Sequence, residues 1–194
     1  VDLGDVTLLP GLIDTHQHLV FKGQGTLEEQ VVGFTDDELQ NRARANALLA
    51  LGAGITTIRD LGDRNYVTLP LRDESGLPTI LCSGPPLTIT GGHCWYLSGE
   101  CDDADALVAM VAAHKDRGCD VIKIMVTGGI MTPTYPMWKS QFDRDDLRRL
   151  VDAAHAAGLP VAAHCHGLQG IQDAIAVGVD TLEHCTFFNE DNMA

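Results

Sequence analysis

The sequence is short of basic residues, of long apolar runs and of paired cysteines, and each shortage removes a class of protein. Only 13 Lys and Arg stand against 27 Asp and Glu, a formal net charge of −14 over 194 residues. Nucleic-acid grooves and polybasic membrane patches need clustered cations, so neither partner is expected. Cations are the natural counterpart of so acidic a chain. No apolar run approaches the ~20 residues of a membrane-spanning helix. The opening VDLGDVTLLP also lacks the basic-then-apolar layout of a secretory signal. A soluble, cytoplasmic protein is expected, although a chain that opens on Val leaves room for a leader lost upstream. The six cysteines, at 82, 94, 101, 119, 165 and 185, form no CxxC pair. They suit reduced thiols better than a disulfide lattice. The 20 glycines are scattered without the period of a fibrous chain, and 45% hydrophobic residues exceed what a disordered chain carries.

What the chain does contain is an alternation of strands and helices. Leu12 and Ile13 lead into Asp14-Thr15-His16-Gln17-His18. Thr35-Asp36-Asp37-Glu38 reads as a helix N-cap with an acidic first turn, and Gly52-Ala53-Gly54 as its stop. ITTIR at 55–59 and residues 79–82 are strands, and 83–100 is a long loop rich in Gly and Pro. Residues 102–117 follow with a helical apolar period, then VIKIMV at 121–126 as a strand. After a loop come a helix at 143–157, a strand at 159–164, a helix at 168–177 and a strand at 179–184. Strands that read as continuous apolar runs between helices indicate an α/β fold with a parallel sheet buried on both faces.

A doubly wound open sheet and a (β/α)₈ barrel both satisfy that pattern. The open sheet gathers its chemistry at one switch point, often after a GxGxxG turn, and no such turn follows residue 13. A barrel places chemistry at the C-terminal ends of many strands, and the unusual residues lie there. His16 and His18 alternate onto one face of the first strand, as two metal ligands would, or as two polar residues at a strand-to-loop junction. Lys123 lies inside VIKIMV, where an unpaired ammonium is costly. Either its head snorkels to the strand end, or its lowered pKa lets the amine take carbon dioxide as a carbamate. His164 and His184 each close a strand, and with Lys123 and the His16/His18 pair, four of six strands end in a ligand-capable side chain on one rim. His93, in ITGGH on the long loop, suits either a surface role or polarising a substrate carbonyl. His166 shares a face with His164, as a structural or a substrate-binding residue. His114 and His155 fall within helices and are expected in solvent. Cys165 and Cys185 are expected to pack on the opposite face, and DRDDLRR at 143–149 is expected to open a helix with an exposed charged face.

Assembled, these residues resemble the metal-dependent amidohydrolases, in the imidazolonepropionase-related branch that includes prolidase-like dipeptidases. The resemblance rests on LPGLIDTHQHL (9–19), GITTIRDLG (54–62), ITGGH (89–93), VIKIMVTGGIMTP (121–133), VAAHCHG (161–167) and TLEHCTF (181–187), in order over most of the chain. It implies that His16 and His18 hold one divalent ion and His164 and His184 a second, with a carboxylated Lys123 bridging them. Zn²⁺ suits such donors better than Mg²⁺. A metal-bridging hydroxide would then attack the carbonyl of an amide or cyclic amide, with His93 orienting that carbonyl. The lysine in the fourth strand favours the two-metal, dipeptidase-like members over imidazolonepropionase itself, which is expected to use one metal. A small-molecule or dipeptide substrate and a homo-oligomer of the full-length protein are expected.

The resemblance also implies a general-base aspartate at the end of an eighth strand, expected beyond Ala194. A full barrel takes about 250 residues, so the length fits about six of eight strand-helix units. Residues 1–8 are expected to be a remnant of the flanking β-sandwich or a linker, and 9–194 the N-terminal part of the barrel. By itself such a piece, with open strand edges, is expected to be inactive. A truncated, non-catalytic metal-binding module and a metal-free doubly wound binding domain are the rival readings.

Overall fold

The computed structural model describes residues 2–189. Val1 and residues 190–194, at the two ends of the expected segments, lie outside the described residues. Residues 2–11 carry no regular element and leave Leu3, Val6, Leu8 and Leu9 exposed. Six parallel strands follow: β1 (Leu12–Gln17), β2 (Ile55–Asp60), β3 (Thr79–Cys82), β4 (Ile122–Met125), β5 (Val161–Cys165) and β6 (Thr181–His184). They form two three-stranded sheets, ordered β1-β2-β3 and β4-β5-β6. The last strand begins two residues later than its apolar run suggests; just before it, the Asp180 carboxylate accepts from Val161 N–H and Asp180 N–H donates to the Val161 carbonyl.

The sheets meet where β3 ends. Asp120 N–H donates to the Cys82 carbonyl at 2.9 Å, and Leu87 pairs in parallel with Ile124. Among the described residues β1 and β6 share no ladder, so the barrel is not closed. The strands nevertheless curl enough to bring β6 against β1, with the His16 and His184 rings 4.9 Å apart.

Among the described residues a short helix α1 (Glu29–Val32) lies in the segment after β1 and packs near residues 95–97, while α2 (Asp36–Gly52), α3 (Ala104–Arg117), α4 (Arg144–Ala156) and α5 (Leu168–Val177) cover the outer face. Their starts follow from capping chemistry. Thr35 and Glu38 form a reciprocal capping box on α2, Asp103 accepts from Ala106 N–H on α3, and Asp143 accepts from Asp146 N–H on α4. Gly118 and Gly178, in the left-handed conformation, end α3 and α5.

Two apolar layers result. One packs α2 against β2 and β3 through Leu39, Ala43, Ala47, Ile58 and Ile80. The other packs α3 to α5 against β4 and β5 through Leu107, Ile122, Ile124, Leu150, Val161 and Ala163. With the alternate residues of β4 and β5 committed to that layer, Lys123, Ala162 and His164 are turned to the inside of the curl. All residues of β4 and β5 are buried. No helix among the described residues is long and apolar enough to cross a membrane.

One expectation changes. His114 is not in solvent: it is fully buried, one nitrogen 3.2 Å from Tyr66 Oη and the other donating to the Pro85 carbonyl at 2.9 Å. Its helical position faces the Gly- and Pro-rich loop, which supplies that carbonyl. His155 is exposed as expected and pairs with Asp180 at 2.9 Å. All six cysteines are free thiols, with Cys165 buried and Cys185 partly so.

Candidate metal centre

The C-terminal ends of the strands and their loops enclose a cavity of about 400 Å³. His16, His18, His93, Lys123, His164, His166 and His184 all line it, so every site residue expected from the sequence reaches one space. Phe21, Leu27, Ile130 and Met131 add an apolar lip from the loops after β1 and β4.

The histidine rings form one continuous cluster. Centroids lie 5.4 Å apart for His16 and His18, 4.8 Å for His164 and His184, and 4.4 Å for His93 and His164. His166 stacks on His184 at 5.0 Å. Strict strand alternation would set His184 opposite the inward-facing Glu183. Left-handed backbone at His184 (φ 74°) and Cys185 (φ 49°) breaks that alternation and lets the ring join the cluster.

Hydrogen bonds at the back of three rings decide which nitrogen is free. His16 Nδ1 donates to Glu183 Oε2 at 2.7 Å, and His18 Nδ1 donates to the Gly62 carbonyl at 3.1 Å. His164 uses the other nitrogen, with Nε2 donating to the Gly128 carbonyl at 3.0 Å. These acceptors carry no proton, so the lone pairs remain on Nε2 of His16 and His18 and on Nδ1 of His164. Two glycines make room for this packing. A Cβ on Gly62, whose φ is positive, would sit 3.1 Å from the His18 ring, and one on Gly129 would sit 2.4 Å from the ring of His93.

Desolvation dominates the electrostatics. Burial, reinforced by Lys123, draws His18 to about 3 and His184 to about 4. Burial, with neighbouring His166 and Lys123, draws His93 to about 3. Burial, then His93 and Lys123, hold His164 well below the ordinary imidazole value. Neutral imidazoles are what a metal ion requires. Lys123 is fully buried and its Nζ has no hydrogen-bond partner among the described residues. Burial lowers its ammonium to about 8, against the opposing pull of Glu183. Burial raises Glu183, but the His16 hydrogen bond and the charge of Lys123 outweigh it and hold the carboxyl at about 2.

Several residues outside the expected donor set support the site. Gln141 Oε1 accepts from His93 N–H at 2.8 Å and from Thr88 Oγ1 at 3.1 Å, while its amide donates to the Met125 carbonyl. Thr132 Oγ1 lies 2.9 Å from His93 Nδ1. Asp60, fully buried, accepts from Leu19 N–H at 2.7 Å and Gly62 N–H at 3.1 Å, pinning the turn that holds His18. Among the described residues, no three His, Cys, Asp or Glu side chains form a group able to hold an ion by themselves.

A parallel α/β scaffold with an HxH strand, a buried lysine and two further strand-end histidines around one cavity defines a class, and residues 7–192 match the amidohydrolase family. The chain belongs to that family. Among individual proteins it is similar to ochratoxinase of Aspergillus niger, 28% identical over 217 residues, covering 95% of this chain and 44% of that protein. It is similar to imidazolonepropionase of Salinispora tropica, 26% identical over 221 residues, covering 98% of this chain and 52% of that protein. The crystal structure of a Xaa-Pro dipeptidase with methionine bound in its active site superposes with a TM-score of 0.87 at 30% identity, covering 95% of this chain and 50% of that one. The chain thus spans about half the length of the relatives it matches.

Proposed function

We propose that the chain is the N-terminal part, six of eight strand-helix units, of the catalytic barrel of a metal-dependent hydrolase that cleaves amide C–N bonds in dipeptide-like substrates. One observation carries this reading. Four strand-end histidines line one cavity with a fully buried lysine amine that has no hydrogen-bond partner among the described residues. A lone buried amine is otherwise a cost of several kcal/mol without return.

The donors fit two ions of the zinc type: His16 and His18 for one, His164 and His184 for the other. Each pair offers two nitrogens. Lys123, carrying carbon dioxide as a carbamate, would supply the shared donor. Two divalent ions supply Lewis-acid polarisation of a carbonyl and activation of water at neutral pH.

The chain's own residues would do the rest. Thr132 Oγ1 accepts from Cys94 N–H at 3.3 Å, which leaves its hydroxyl proton for His93 Nδ1. Nε2–H of a neutral His93 is then the donor presented to the substrate carbonyl, and Gln141 fixes its backbone. His166, with Nδ1 held 2.6 Å from Thr186 Oγ1, offers Nε2 to the bound substrate. Phe21, Leu27, Ile130 and Met131 would seat an apolar side chain and keep water from it. Similarity to a Xaa-Pro dipeptidase and to ochratoxinase supports an amide substrate; the buried Lys123 favours the two-metal reading over a mononuclear, imidazolonepropionase-like one.

The test is hydrolysis by zinc-loaded, full-length protein of dipeptides ending in proline, with apolar against glycyl first residues. Cleavage that favours the apolar series and vanishes in Lys123→Ala is expected. No hydrolysis of any amide by the loaded protein would overturn the proposal.

A further inference from the structure

Glu183, the residue before the candidate ligand His184, reaches with its carboxylate from β6 to β1. Oε2 accepts from His16 Nδ1 at 2.7 Å. Oε1 accepts from Arg59 Nη2 at 2.9 Å and from Thr181 Oγ1 at 3.0 Å. Arg59 Nε in turn donates to the Thr15 carbonyl at 2.7 Å, beside His16. Glu183 is thereby fastened on both oxygens, and a loop of hydrogen bonds joins β1, β2 and β6. We propose that Glu183 is the positioning residue that makes His16 an Nε2 ligand, with Arg59 holding the carboxylate in place. The inference rests on the reading of His16 as a metal ligand.

The argument compares the three clamped rings. His18 and His164 are oriented by backbone carbonyls, those of Gly62 and Gly128. His16 alone of the three is oriented by a side chain. A carboxylate accepts and cannot donate, so it keeps the His16 proton on Nδ1 and raises the donor strength of Nε2. It also holds the ring toward the cavity that His18 and Lys123 share. An ion pair serving only to tie β6 to β2 would need Arg59 and Glu183 but no contact with His16. The shorter of the two bonds is the one to His16.

Substitution of Glu183 by Gln leaves one acceptor oxygen for three clients, His16, Arg59 and Thr181. Removing such a partner of a metal-bound histidine typically weakens metal binding about 10- to 100-fold. The experiment titrates zinc into full-length wild type and Glu183→Gln against a chromophoric chelator, and records ¹⁵N shifts of the histidine rings in the metal-free proteins. The expected result is one zinc site weakened about 10- to 100-fold and the other retained. In the metal-free protein the His16 ring should lose its single Nδ1–H tautomer. Should Glu183→Gln fail to fold, Glu183→Asp keeps the charge for Arg59 but draws back from His16 by one methylene, and the same two changes are expected. A folded variant with both zinc sites and the His16 tautomer as in wild type would overturn the inference. The ring spectra need no metal, so a wild type that binds no zinc overturns the metal reading and not the clamp.

Discussion

Replacing Lys123 by Met in the metal-free, full-length protein should make the protein more stable at neutral pH. The amine is fully buried without a hydrogen-bond partner among the described residues, and burial lowers it from 10.5 to about 8. At about 1.4 kcal/mol per pH unit, that difference amounts to roughly 3 kcal/mol against the charged form. The sign follows from proton linkage. A lysine whose folded value is depressed carries its full penalty below about pH 8, where both states are protonated. Between about 8 and 10.5 the unfolded chain binds more protons, so stability rises with pH and the penalty fades. Met is close to Lys in volume, and such packing changes usually cost less than about 1.5 kcal/mol. The assay is urea unfolding of both proteins, with chelator present and carbon dioxide excluded, at pH 7 and above pH 10. Lys123→Met should gain about 1 to 3 kcal/mol at pH 7 and little above pH 10. A variant less stable at pH 7, or a difference independent of pH, would refute the view of Lys123 as a buried, unsatisfied amine kept for chemistry.

Other residues give independent checks. His93→Ala should lower kcat by about 100- to 1000-fold, as loss of a carbonyl donor does, with zinc content unchanged; reduced zinc would instead place His93 among the ligands. Gly129→Ala would drive a methyl into the His93 ring at 2.4 Å, so kcat should fall with it, and wild-type turnover would show that the loop yields freely. Asp60→Ala strands the Leu19 and Gly62 N–H groups and should cost about 1 to 3 kcal/mol for each in urea unfolding. A loss below about 1 kcal/mol would mean the turn finds other acceptors.

Most of the scaffold was legible because it is written in local chemistry. The N-cap at Thr35, the stop at Gly52-Ala53-Gly54 and the apolar runs of β4 and β5 each follow from neighbours in sequence. The site was legible for a related reason: His16, His18, Lys123 and His164 stand in or beside strands, where alternation determines their side. What escaped depends on contacts between distant segments. Glu183 reaches His16 across 167 positions, Gln141 reaches His93 across 48, and the loop carbonyl that buries His114 lies 29 residues away. His184 is expected on the same rim as the end of its strand, but the left-handed backbone by which its ring joins the cluster is not encoded by any strand pattern.

The most direct test of the two-ion reading is the metal content of full-length protein purified with zinc, measured by elemental analysis beside the ¹³C spectrum of protein exposed to labelled carbon dioxide. The account predicts about two ions per chain and a carbamate signal, with both lost or sharply reduced in Lys123→Ala. One ion per chain with no carbamate signal, or metal content unchanged in that variant, would contradict it.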